Sequence, residues 1–182
     1  LAGDTEAQMQ FLERLANVGE REEGTRSDAL FRMAEVLLAD ADSIEAGITR
    51  LREALEASDR VERGAMVLEQ AVAQHPTNGE LLDVYEQVAR KGEDDRILFH
   101  YLKTRAEHAD ATVDQVREAV EKAIALEQTE PVEGLLSRAV ALAEDMLDGR
   151  SQVGWALLGL ARVRLDAGDL AGAVKWLGEA AE

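Results

Sequence analysis

Apolar residues recur at spacings of three and four positions along the whole chain, and strict alternation of apolar and polar residues is absent. The first spacing places apolar side chains on one face of an α-helix, whereas alternation would indicate a half-buried β-strand. Polar residues suited to N-terminal capping precede many of these segments. The expected caps are Asp4, Ser43, Asp59, Asn78, Thr112 and Ser151. The pattern therefore predicts an all-α chain of about ten helices.

Short connectors separate the predicted helices. Gly92 and the pair Gly168-Asp169 stand where helices are expected to end, and residues 19–25 form the best candidate for a linker. Short connections make consecutive helices antiparallel, so the chain is either a helical bundle or a stack of helical hairpins.

The last hairpin has a distinctive arrangement of small and large apolar residues. Its positions are Leu157, Leu160, Ala161, Gly168, Asp169, Leu170, Ala173, Leu177 and Ala180. Ala161 and Ala173 allow two helices to approach closely, and the leucines, including Leu177, are expected to fill the space around them. This segment resembles a tetratricopeptide repeat (TPR), a helix-turn-helix unit of about 34 residues. It departs from the family at Arg164, where an aromatic residue is usual.

Weaker copies of this pattern occur upstream. The copy over residues 116–139 keeps the same internal distances, and residues 81–101 form another. In the N-terminal third two registers compete, one pairing residues 30–34 with 47–54 and the other ending a repeat at Pro76. The resemblance implies antiparallel hairpins stacked as a right-handed, TPR-like solenoid. We expect one continuous solenoid, irregular over residues 1–76 and more regular over 77–182.

The resemblance also implies a binding surface, because the first helices of TPR pairs line a concave groove that commonly binds peptides. The corresponding positions are Leu82, Glu86, Arg90, Asp114, Arg117, Glu121, Trp155, Leu158, Arg162 and Asp166. Trp155 lies off the core stripe of its helix, so it either faces this groove or packs against the neighbouring hairpin. Ile124, by contrast, is assigned to the core.

Charge limits the partners of such a surface. The chain has 20 Lys and Arg against 37 Asp and Glu, a formal charge of −17. Nucleic acids and anionic membrane surfaces require clustered cations, so we expect neither as a partner. No apolar run approaches the roughly 18 residues of a membrane span, and no membrane insertion is expected. A protein or peptide that is net basic or neutral is the favoured partner.

Candidate catalytic and metal-binding residues are few. The strings GxxxxGK[ST], GxSxG and HExxH are absent, and cysteine is missing altogether. The three histidines, His75, His100 and His108, are not spaced as ligands of one metal. The segment Asp40-x-Asp42-x-x-Glu45 lacks the glycine and the final glutamate of a calcium loop. We therefore expect no catalytic site, no metal and no cofactor.

The sequence favours a non-enzymatic protein-interaction module, a scaffold or adaptor segment. Two alternatives remain open: an architectural spacer, or a regulatory helical domain attached to an enzyme or DNA-binding module. The first residues contain neither an initiator methionine nor a signal-peptide pattern, so we expect a segment of a longer protein. A solenoid repeat buries its face only against its neighbours, so the last hairpin is expected to form a homodimer through Leu170, Val174 and Trp176.

Overall fold

The computed structural model describes residues 2–18, 23–144, 146 and 149–181, and within these ranges the chain is helical without a β-strand. The ten α-helices found there are α1 (Ala2–Val18), α2 (Glu23–Leu38), α3 (Ile44–Glu56), α4 (Val61–Gln74), α5 (Gly79–Lys91), α6 (Asp95–Glu107), α7 (Val113–Ala125), α8 (Val132–Ala143), α9 (Gly149–Asp166) and α10 (Leu170–Ala181). A short 3-10 turn, Ala41–Ser43, precedes α3. The all-α class and the helix number predicted from the periodicity are confirmed.

Two predicted helix caps are confirmed by their hydrogen bonds. The Asn78 side chain accepts a bond from the Leu81 backbone N–H at 3.1 Å and begins α5. Thr112 begins α7 with a capping box, in which its hydroxyl accepts from the Gln115 N–H and the Gln115 side chain accepts from the Thr112 N–H. Each cap satisfies a backbone donor that the helix itself leaves free.

The other predicted caps differ from the structure. Asp4 and Ser151 lie inside α1 and α9, and Arg60 rather than Asp59 occupies the cap position of α4. Ser43 does precede α3, but its hydroxyl donates to the Asp40 carboxylate instead of capping the helix. Helices α1, α4 and α9 therefore start at positions other than the predicted ones, whereas α3 starts after Ser43 without a side-chain cap. Residues 19–22 of the predicted linker lie outside the described residues, while residues 23–25 already belong to α2.

The chain divides into two compact units, Leu1–Ile97 and Leu98–Glu182, so the division falls within α6. The boundary predicted from the sequence, between the irregular repeats of residues 1–76 and the more regular ones of residues 77–182, lies earlier in the chain.

In the first unit α2 is central, because it packs against α1, α3 and α4, while α4 also packs against α5. Leu30, Met33 and Ala34 of α2 are buried with Leu51 and Ala54 of α3, as one of the two competing registers predicts. Gly47 allows α3 to lie close to the end of α2. A Cβ atom at Gly47 would lie 2.7 Å from the Cγ atom of Leu38 and 3.0 Å from its backbone nitrogen.

In the second unit α8 packs between α7 and α9, and α10 packs against α9. Ala161 and Ala173 are both 1% exposed, which agrees with their expected place inside the last hairpin. The expectation that Leu177 fills this core is wrong, because its side chain is 45% exposed. At the position where TPR units usually have an aromatic residue, Arg164 instead forms an ion pair with Glu133 near the start of α8.

The connection from α6 to α7 is held by a cluster of charged and polar groups. The Arg138 guanidinium of α8 donates to the backbone oxygens of Ala106 and His108 at 3.2 and 3.1 Å. Asp110 accepts hydrogen bonds from the side chains of Arg105 and His108. The two bonds from Arg138 satisfy backbone oxygens at and just after the C-terminal end of α6, where carbonyl groups lack partners within the helix.

Candidate protein-binding groove

An open groove of about 840 Å³ lies on the second unit, between α7 and α9 with α8 at its base. Its lining residues are Arg117, Val120, Glu121 and Ile124 of α7, Thr129 of the following connection, Val132 and Leu136 of α8, and Trp155, Gly159, Arg162, Val163 and Asp166 of α9. The volume lies within the range of sites that hold drug-sized ligands. We refer to this surface as the α7–α9 groove.

The helical period explains which side chains α7 contributes. Arg117, Val120, Glu121 and Ile124 lie at relative positions 0, 3, 4 and 7, so they share one face of the helix. The expectation that Ile124 belongs to the core is wrong, because its side chain is 62% exposed. Apolar spacing alone does not separate a core stripe from an apolar groove wall.

The α9 side of the groove depends on one glycine. Trp155, Gly159 and Arg162 occupy successive turns of α9 and face the groove with Val163 and Asp166. A Cβ atom at Gly159 would lie 2.9 Å from the Cδ2 atom of Leu136. The absence of a side chain at Gly159 therefore lets α9 approach α8 closely. A glycine inside a helix is the one signal in the sequence that could have indicated this contact.

Trp155 is the largest side chain in the groove and is held in place. Its indole Nε1–H donates to the backbone oxygen of Gln152 at 3.0 Å. The guanidinium carbon of Arg117 lies 4.8 Å from the centre of the Trp155 ring. A cation at this distance over an indole is attracted by the negative face of the ring. Trp155 is half-buried, so it presents apolar surface to the groove in a defined position.

The charged groups of the groove are balanced in number. Arg117 and Arg162 supply positive charge, while Glu121 and Asp166 supply negative charge. Arg162 and Asp166 form a loose, exposed ion pair with an Nε–Oδ2 distance of 4.0 Å. Glu121 forms no ion pair with any group in the described part of the chain. Its carboxylate is therefore available to a basic group of a partner.

Five predicted site residues, Arg117, Glu121, Trp155, Arg162 and Asp166, thus lie together in the α7–α9 groove. The groove lining includes neither Asp114 nor Leu158, although both are exposed on the same two helices.

The three positions predicted on α5 belong to the first unit. Leu82 is 3% exposed and packs in the core of that unit, so it offers no side chain to a partner. Its neighbour along the sequence, Leu81, is completely buried, which shows that α5 has a broad apolar face. Glu86 and Arg90 form an ion pair with an Oε1–Nε distance of 2.8 Å.

The predicted self-association residues lie on two different sides of α10. Leu170 and Val174 are both 68% exposed. Trp176 is half-buried, with the Lys175 ammonium 4.8 Å from the centre of its ring. Six positions separate Leu170 from Trp176, which places their side chains about 120° apart around the helix. Leu177, rather than Trp176, lies on the same exposed face of α10 as Leu170 and Val174.

The histidines take part in local contacts of the backbone and side chains. His75 places its Nε2 atom 3.0 Å from the Leu38 carbonyl oxygen at the end of α2.

Among the residues that the structure describes, no three His, Asp or Glu side chains are grouped as metal ligands. Over the same residues, no helix is both long and apolar enough to cross a membrane.

Comparison of the chain with protein-family models, with curated proteins and with solved structures finds no match.

Proposed function

We propose that the chain is a TPR-like helical repeat protein that acts as a non-enzymatic interaction module and binds a segment of a partner protein in the α7–α9 groove. The observation that carries this proposal is the position of Trp155, held at the side of an apolar groove by Arg117 and by the Gln152 carbonyl. Tryptophan and arginine are the residue types most enriched among residues that dominate binding energy.

The repeat arrangement is supported by the packing of neighbouring helices. The pairs α2–α3, α4–α5, α7–α8 and α9–α10 each pack against one another and are joined by short connections. In a right-handed solenoid of such pairs, α7 and α9 are first helices of successive units, and these are the helices that form the walls of the groove.

The groove suits an apolar peptide segment. Its exposed apolar surface comes mainly from Ile124, Val163 and the Trp155 ring, while Val120, Val132 and Leu136 line it as buried side chains. Burying apolar area contributes about 25 cal/mol per Å², so each aliphatic side chain of a partner that enters the groove adds to the binding free energy. The fixed Trp155 ring lowers the entropic cost of ordering the site, because its rotamer is already defined before the partner arrives.

The charges indicate a partner that is net basic or neutral. Glu121 has no ion pair in the described residues, and a Lys or Arg of the partner placed beside it would supply one. The chain as a whole carries a formal charge of −17, which attracts basic segments and repels acidic ones over long range. An aliphatic segment with one flanking basic residue matches both features.

A peptide array in which aliphatic and basic positions are varied systematically tests the proposal. The Trp176→Phe variant leaves Trp155 as the only tryptophan, so its fluorescence reports directly on occupation of the groove. We expect aliphatic peptides with a basic residue to bind and to shift this emission. Peptides with acidic flanks should bind more weakly.

The Ile124→Asp variant places a charge in the groove wall and should abolish this binding. Met66→Asp is the matched control, because Met66 is 69% exposed on α4 of the first unit. If no peptide binds, or if Ile124→Asp and Met66→Asp bind equally well, the groove is not the interaction site. If no peptide binds at all, the architectural spacer is the better description of the chain.

A further inference from the structure

The last two helices carry an unusual concentration of exposed apolar side chains. Nine large hydrophobic residues are exposed in the described part of the chain, and five of them lie on α9 and α10. These five are Leu158, Leu165, Leu170, Val174 and Leu177. Large apolar side chains that are exposed together on one surface, rather than scattered singly, mark protein-interaction sites.

On α10 these residues form one stripe. Leu170, Val174 and Leu177 lie at relative positions 0, 4 and 7, so they share a face of the helix. Beside them lie Ala171, Gly178 and Ala181, which are also exposed and uncharged. This α10 stripe therefore combines large side chains with small ones along a helix of three turns, which allows another helix to pack closely against it.

Charge distinguishes this hairpin from the rest of the chain. Residues 149–181 contain four basic and three acidic side chains, although the whole chain carries a formal charge of −17. The basic residues are Arg150, Arg162, Arg164 and Lys175, and the acidic ones are Asp166, Asp169 and Glu179. Two copies of the chain repel each other through their acidic surfaces, but they can meet at this hairpin without like-charge repulsion.

We propose that the α10 stripe is a dimer interface, in which α10 of one copy packs antiparallel against α10 of a second copy. A two-fold axis makes the same patch serve both copies, which is the commonest symmetry of homodimers. The stripe overlaps itself best when the axis passes near Val174, its middle residue. Val174 of one copy then lies beside Val174 of the other.

This interface is separate from the α7–α9 groove. The groove lining contains none of the three large residues of the α10 stripe. Substitutions in the α10 stripe should therefore weaken dimerisation without changing peptide binding, and substitutions in the groove should do the reverse.

Sedimentation over about a hundredfold range of protein concentration tests the dimer. We expect the mass to rise from one copy toward two. Val174→Glu should weaken association at least about tenfold, because it replaces a buried apolar contact by two like charges. Val174 is 68% exposed in the single chain, so the variant retains its fold, which circular dichroism verifies. Met66→Glu adds the same charge at an equally exposed position on α4 and should associate like the unaltered chain.

The absence of cysteine allows a direct test of the geometry. Val174→Cys should form a disulfide between two copies under mild oxidation, whereas Met66→Cys should not. A chain that stays monomeric across the concentration range would overturn the proposal. Association that is insensitive to Val174→Glu would place the interface elsewhere, and a dimer without the Val174→Cys disulfide would exclude the antiparallel alignment.

Discussion

The Arg117 guanidinium lies over the indole of Trp155, with 4.8 Å between the guanidinium carbon and the ring centre, and this contact joins α7 to α9 across the groove. Both residues lie in one unit, and each is supported locally. Arg117 extends from the exposed face of α7, and the Trp155 Nε1–H is bonded to Gln152 within α9. The contact orders an aromatic side chain at the surface before any partner is bound.

Arg117→Ala should release the Trp155 ring and weaken peptide binding about two- to fivefold, because an exposed cation–π contact contributes roughly 0.5–1 kcal/mol. Trp155 emission, measured in the Trp176→Phe background, should shift to longer wavelength as water reaches the indole. Arg117→Lys keeps the charge, so it should retain part of the ordering of Trp155 and part of the peptide affinity. Unchanged emission and affinity in Arg117→Ala would show that the contact does not order the site.

Gly47→Ala should destabilise the first unit by about 1–3 kcal/mol, because the new methyl group meets the Leu38 side chain and backbone. The better helix propensity of alanine, about 1 kcal/mol, opposes this effect without cancelling it. Urea unfolding measures the difference. Gly79→Ala is the control, since no atom lies within 4 Å of a Cβ placed at Gly79. Equal stability of the two variants would contradict the close approach of α2 and α3.

Asp110→Asn should reduce stability at neutral pH, and the difference from the unaltered chain should shrink in acid. Hydrogen bonds from Arg105 and His108 hold the pKa of the Asp110 carboxyl well below its ordinary value of 3.8. A pKa that is lower in the folded state stabilises the fold above the ordinary value, and this contribution is lost as the pH falls below it.

Urea unfolding at neutral pH and at several values below about pH 4 measures this effect. Asp83→Asn is the control, because Asp83 is exposed on α5 and forms no hydrogen bond or ion pair with the described residues. If the two variants follow the same pH dependence, the Arg105–His108–Asp110 cluster does not stabilise the α6–α7 connection.

Salt should weaken the binding of basic peptides to the groove. The formal charge of −17 attracts such peptides over long range. At about 0.15 M salt, this attraction is largely screened beyond roughly 8 Å. Titrations at two ionic strengths should therefore show weaker binding at the higher one. A peptide with glutamine in place of each basic residue should lose this dependence. Tight, salt-insensitive binding to DNA or to an acidic peptide would contradict the expectation.

The number of helices and some of their caps could be predicted from the sequence, because both depend on residues that are close together along the chain. The spacing of apolar positions predicts the helical class and the number of helices, and Asn78 and Thr112 begin α5 and α7 through local hydrogen bonds. Arg117 and Trp155 could be predicted to lie off the core stripes of their helices. Their mutual contact could not, because it depends on how α7 and α9 pack.

The sequence by itself determined which segments are helical and which faces of them are apolar, since both follow from side-chain spacing within one helix. Only the tertiary structure decided which apolar residues are buried: Leu82 lies in a core, whereas Ile124 and Leu177 are exposed. The physical reason is that an apolar stripe is wider than one helix contact, so the number and direction of neighbouring helices select the part that is covered. The division of the chain into two units within α6 likewise depends on contacts between helices, which the local sequence pattern does not indicate.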